Sequence, residues 1–194
     1  MKFRRVIGAV LLMAITALAA QEKRGPSTPE ERQRAIEVTK KLEANPLDPA
    51  LKSDRSWLVQ WIVEIPDITV PVCEEVLTPV LKEQDWRYKY ASELLAQQLA
   101  GSAVYLIEHP KDTDDDFAIS KAGLESALKA YEALMKKHAK GARWLPLDEL
   151  LTKRKNGQLD DYVRQKTMKC LSGNYVMASE HPSKSAAAGC LMRD

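Results

Sequence analysis

The 194-residue chain reads as an all-α protein of six or seven helices, arranged as an antiparallel bundle or a short helical-hairpin array. Three observations predict this. Eight glycines and two phenylalanines stand against abundant Ala, Leu, Glu and Lys, a balance that favours helix over sheet. Apolar residues recur at the helical period in long stretches. Cap residues and prolines punctuate those stretches where helices begin and end.

Residues 1–19 are expected to be a signal peptide. Lys2, Arg4 and Arg5 precede an uncharged apolar run that closes on small residues, and Ala17-Leu18-Ala19 fits the small-x-small cleavage pattern. The run from Val6 to Ala20 is shorter than the ~20 residues that span a bilayer, so no stable membrane insertion is expected once the signal is removed. The expected location is periplasmic or secreted. Without the signal, 26 basic residues face 27 acidic ones, and the interleaved charges leave no electrostatic footprint for nucleic acid. The rest suffices for one domain with a real core.

Residues 20–27 read as a flexible leader, and the helical domain as 28–170. The first helix opens on Thr28 as N-cap, Pro29 at the first helical position and Glu31 three residues on, a capping box. Asn45-Pro46 ends it near Ala44. Asp48-Pro49 restarts a second helix, carrying Trp57, Leu58, Trp61, Ile62 and Ile65 up to Pro66. A third element, about 69–84, starts near Pro71 and is kinked or divided at Pro79. The fourth, about 85–108, has the clearest amphipathic period, through Ala91, Leu94, Leu95, Leu99, Ala103, Leu106 and Ile107. Its small residues Ala100, Gly101, Ser102 and Ala103 would let another helix approach closely. The fifth starts in or after the acidic run and carries Leu124, Leu128, Tyr131 and Met135 on one face, with Lys136, Lys137 and Lys140 at its C-terminus. Two short helices follow, LDELLTKRK and QLDDYVRQKTMKC, divided by Asn156-Gly157. From Leu171 the apolar period is lost, and 171–194 reads as a disordered tail.

AGLESALKAYEALMKKHAKGA, with Ala127 at a small position and Tyr131 at an aromatic one, resembles the second helix and exit of a tetratricopeptide-like hairpin. YASELLAQQLAGSAVYLIEHP can be read the same way. The likeness covers about residues 88–168, without a fixed repeat period or the Trp, Gly and Tyr set of such a repeat's first helix. It implies stacked antiparallel helices and a protein or peptide partner. As a whole the chain also looks like many uncharacterised exported bacterial proteins.

Export makes the cysteines informative. Cys73 falls with Val76, Leu77 and Val80 at helical spacing, and Cys170 with Leu159, Tyr162, Val163 and Thr167, whereas Cys190 lies in the tail. A Cys73–Cys170 disulfide is therefore expected. The acidic run KDTDDDF resembles the start of a calcium loop, but Phe117 and Gly123 stand where an EF-hand needs Gly and Glu; a favourable helix N-terminus explains the charges without metal. His109, His138 and His181 are scattered, with no metal-ligand spacing, and no nucleophile turn accompanies them. No catalytic residue, metal or cofactor is expected. Trp57 and Trp61, four apart, suit a core helix. Trp144, in the connection GARWLP, and His138 are the candidates for surface contact.

These observations point to an exported helical binding or structural protein that recognises a protein or peptide partner in the cell envelope. The alternatives are a periplasmic hydrolase whose site is assembled from distant residues, and a small disulfide-bonded inhibitor of an envelope enzyme. An exposed apolar patch would favour binding, whereas a deep pocket bringing His138 or His109 onto buried carboxylates would favour catalysis.

Overall fold

A computed structural model describes residues 24–76 and 88–172. The expected signal peptide, the Pro79 kink, Trp86, and the tail with His181 and Cys190 lie outside the described residues. Regular structure among the described residues is entirely helical. Helix α1, Pro29–Ala44, opens on the expected capping box: Thr28 Oγ1 accepts the Glu31 N–H at 3.2 Å, and Glu31 Oε2 accepts the Thr28 N–H at 3.0 Å. Asp48 caps a single 3₁₀ turn, Pro49–Leu51, which leads into α2, Lys52–Glu64. Then come α3, Ala91–Glu108, and α4, Asp116–Ala142, the latter capped by Asp115. The last two are α5, Leu145–Lys155, and α6, Leu159–Ser172. Between them Gly157, at φ 72°, supplies the left-handed residue that stops α5. The Gly157 N–H donates to Arg154 O and the Gln158 N–H to Lys153 O, a Schellman closure.

Four boundaries differ from the sequence reading. The third element is not helical from residue 69: the chain runs irregularly through Cys73 and turns helical at residue 74. Pro71 disfavours helix at Val70, and Ile68 and Val70 are drawn into the core. Helix α3 begins at Ala91 rather than near Asp85. Tyr88 and Tyr90 are both buried with their rings 5.9 Å apart, and residues two apart on a helix do not face each other. Helix α4 is interrupted at His138 (φ −133°, ψ 39°); beyond the break Ala142 is fully buried and its carbonyl accepts the Tyr88 hydroxyl at 2.8 Å. Helix α6 continues to Ser172, whose hydroxyl donates to Met168 O, so the start of the expected tail is helical.

Helices α3 and α4 form the central antiparallel pair. Gln97 bonds Ser126 while Ser102, further along α3, bonds Ile119, earlier on α4. The small residues bring these backbones together: a Cβ on Gly101 would lie 3.0 Å from Ala122 O, and one on Gly123 would lie 2.6 Å from Gln98 O. On one side of this pair Ala35, Val38 and Leu42 of α1 meet Leu58 and Trp61 of α2, with Ile65, Ala100, Leu106 and Ile119. On the other, Leu124, Leu128, Tyr131 and Leu134 meet Leu147 and Leu150 of α5 and Leu159 and Val163 of α6.

Ser27, the last residue of the expected leader, is buried and bonded to the fold. The Ser27 N–H and hydroxyl donate to the two carboxylate oxygens of Asp67 at 2.8 and 2.7 Å, and Arg32 Nη2 donates to Asp67 at 2.8 Å. Burial raises the Asp67 pKa, but the bonds from Ser27 and Arg32 outweigh it and bring the group down to about 2. A depressed carboxylate stabilises the fold above its unfolded pKa, and that contribution is lost as pH falls through the folded value. Asp67→Asn should therefore cost about 1 to 2 kcal/mol at neutral pH. Urea unfolding of both proteins should show this difference intact above about pH 4 and vanishing toward pH 2; a difference independent of pH would contradict the assignment.

Candidate functional surfaces

The end of the molecule that carries α6 is closed covalently. Cys73 and Cys170 form the expected disulfide, with Cα atoms 5.9 Å apart and a sequence separation of 97. Cys170 lies one and two helical turns beyond Thr167 and Val163, both buried, which aims its sulfur at the core edge. Beside the bridge Lys166 Nζ pairs with Glu75 at 3.1 Å, and Val76 is fully buried. Burial, and secondarily the Glu75 charge, pushes the nearby Tyr162 hydroxyl up to about 12. Around this covalent link three large apolar side chains face solvent: Val72 at 64%, Met168 at 56% and Leu171 at 56% exposure. Val72 and Leu171 each adjoin a bridged cysteine, so their Cα atoms lie within about 13.5 Å of each other.

The junction of α4 and α5 holds both candidates for surface contact. Tyr131, fully buried, accepts the Trp144 backbone N–H at 2.8 Å and donates to Asp148 Oδ1 at 2.8 Å. Asp148 also accepts from Arg143 Nε at 2.8 Å. Burial raises the Tyr131 hydroxyl to about 12; the Trp144 backbone contact opposes the rise and Asp148 adds to it. The Trp144 ring stacks on Tyr88 with centroids 5.3 Å apart and is half-buried against the core. Only part of it faces solvent. Leu145, next in sequence, is 67% exposed. His138 is exposed at the break in α4, its ring 6.4 Å from that of Tyr90.

The remaining polar groups are used in the architecture. His109 stacks on Tyr105 at 4.4 Å, and Asp112 accepts the Tyr105 hydroxyl at 3.2 Å. Asp115 caps α4 by accepting the Ala118 N–H at 2.9 Å. Burial, with the charges of Asp114 and Asp115, raises the Asp116 pKa. Among the described residues neither His109 nor His138 meets a buried carboxylate. Among the described residues no group of three His, Cys, Asp or Glu side chains could share a metal ion.

A polar seam that the sequence did not disclose crosses the middle of the bundle. Gln97 Nε2 donates to Thr39 O at 3.2 Å and to Ser126 Oγ at 2.7 Å, and Ser126 in turn donates to Glu43 at 2.7 Å. Lys129 Nζ lies 3.3 Å from the same carboxylate. Gln97 and Ser126 are buried, and their bonds fix α1 against the central pair. No motif marks these residues; their only sequence signal is polarity on otherwise apolar faces. Trp61 is core, whereas Trp57 stacks on it at 5.8 Å and has the Arg34 guanidinium 4.0 Å from its ring centroid. Trp57 is thus tied into the packing of α1 on α2.

No protein family, curated protein or solved structure matches this chain. Among the described residues no helix is long and apolar enough to cross a membrane.

Proposed function

We propose that this is an exported protein, periplasmic or secreted, that acts by binding a protein or peptide partner at the apolar face beside the Cys73–Cys170 bridge. The observation that carries the reading is the grouping of Val72, Met168 and Leu171. Three of the four large apolar side chains exposed among the described residues lie within two residues of a bridged cysteine. Exposed apolar side chains gathered in one place mark interaction sites more than scattered ones do. A disulfide suits an oxidising compartment, which supports export. The central α3–α4 hairpin suits the resemblance to tetratricopeptide-like pairs, whose partners are proteins and peptides.

Met168→Asp with Leu171→Asp tests the reading. Both side chains are exposed, so unfolding should shift by less than about 0.5 kcal/mol. Affinity capture from an envelope extract should retain a specific partner on the original protein, and the double variant should bind it about tenfold or more weakly. Equal retention by the variant, or repeated failure of the original protein to retain any specific partner, counts against the proposal.

A further inference from the structure

The densest cationic stretch of the described chain, KKHAKGAR at 136–143, holds Lys136, Lys137, Lys140 and Arg143 and no acidic residue. It leads directly into Trp144 and the exposed Leu145. Lys136, Lys137 and Arg143 are exposed, and among the described residues only Arg143 of these three has a carboxylate partner, Asp148. Helix polarity favours cations at a helix C-terminus, but it does not require an exposed leucine among them. The same corner carries Lys89, exposed, with Nζ 5.2 Å from the Tyr90 ring centroid. Tyr88 and Tyr90 join it through Trp144 and His138.

We infer that this corner is a peripheral docking edge for an anionic phospholipid surface, separate from the protein-binding face beside the disulfide. Lysine and arginine side chains close to an anionic leaflet are attracted by its surface potential. The exposed Leu145, beside a half-buried tryptophan, supplies the shallow apolar contact that interfacial anchors use. Shape favours a lipid surface over a peptide. Leu145 stands out where α4 ends and α5 begins, whereas the hollow of about 420 Å³ near these helices is lined by Glu132, Leu151, Thr152, Arg154 and Lys155. There Arg154 is already paired with Glu125 and Glu132. The edge fits adsorption rather than insertion.

Co-sedimentation of the disulfide-intact protein with vesicles tests the inference, using equimolar phosphatidylglycerol and phosphatidylcholine against phosphatidylcholine alone. The expected result is partition onto the anionic vesicles only, weakening with salt. It should fall about tenfold or more in Lys136→Glu with Lys137→Glu, and again in Leu145→Ser. Circular dichroism and thermal melting check that these variants remain folded. Lys40→Glu with Lys41→Glu, the same charge change at the exposed end of α1, should retain most of the binding. Absence of partition, equal partition onto neutral vesicles, or an equal loss in the α1 variant overturns the inference. Binding to polyglutamate without binding to anionic vesicles also overturns it, assigning the corner to an acidic protein. Met168→Asp with Leu171→Asp should leave vesicle binding unchanged, so failure here is distinguishable from failure of the protein-binding reading.

Discussion

Replacing Cys73 and Cys170 together by alanine should lower the free energy of unfolding by up to about 4.7 kcal/mol, the chain-entropy value for a loop of this length. A sequence separation of 97 means that the bridge restricts half of the unfolded chain. That restriction is a large part of the ~5–15 kcal/mol that stabilises a typical domain. In the folded state the bridge ties the segment that runs irregularly through Cys73 to α6, where the Lys166–Glu75 pair and the burial of Val76 reinforce it. The pair is partly exposed, and such pairs contribute little. Urea unfolding of the variant should show a lower midpoint and a steeper denaturant dependence, because the uncrosslinked unfolded chain exposes more surface. The same shift should follow when the original protein is reduced. A loss below about 1 kcal/mol would mean that the bridge adds little to a fold already closed by packing.

The next largest effect is expected at Gly123. A Cβ there would lie 2.6 Å from the carbonyl oxygen of Gln98, a backbone atom that no side-chain rotation can remove. Gly123→Val therefore has to spread the α3–α4 crossing, disturbing the Gln97–Ser126–Glu43 seam and both cores at once. The cost should approach or exceed about 3 kcal/mol, which lowers the melting temperature by about 6 to 12 °C for a domain of this size. Gly141 is the contrasting case. Nothing lies within 4 Å of the position its Cβ would take, so Gly141→Ala should be neutral or stabilising by up to about 1 kcal/mol. Thermal unfolding followed by circular dichroism compares the two. A Gly123 variant melting with the original protein would show that the crossing is not tightly packed.

What could be read from the sequence was what local chemistry encodes. Thr28, Pro29 and Glu31 predicted the start of α1 because the capping box is a short-range device. Asn156-Gly157 predicted the break before α6 because a left-handed residue is needed there. The small residues of α3 predicted a close neighbour, and Gly123 and Ser126 of α4 provide it. The cysteine pairing followed from two thiols on apolar stripes and a third in a stretch without one. Long-range demands were not legible. Nothing near Asp67 announces that it binds Ser27, 40 residues earlier, and nothing near Ser126 points to Glu43, 83 residues away. Tyr88 and Tyr90 displaced the start of α3 because both rings have a place in the core, a tertiary demand that overrides helix propensity. Trp144 could be placed in a connection, but its packing on Tyr88, 56 residues earlier, is a long-range contact, and no proline or glycine at position 138 signals the break in α4. The exposed face beside the bridge was equally hidden: Val72 and Leu171 are 99 residues apart, and long-range contacts, the disulfide foremost, make them neighbours.

One covalent link thus closes the bundle and brings together the apolar face proposed to bind a partner. Peptide mapping of the purified protein under non-reducing conditions tests that link most directly. A peptide carrying Cys73 joined to one carrying Cys170 is the expected result, and it should separate into two on reduction. A Cys170 peptide found free, or joined only to Cys190, would contradict it and remove the basis for placing Val72 beside Met168 and Leu171.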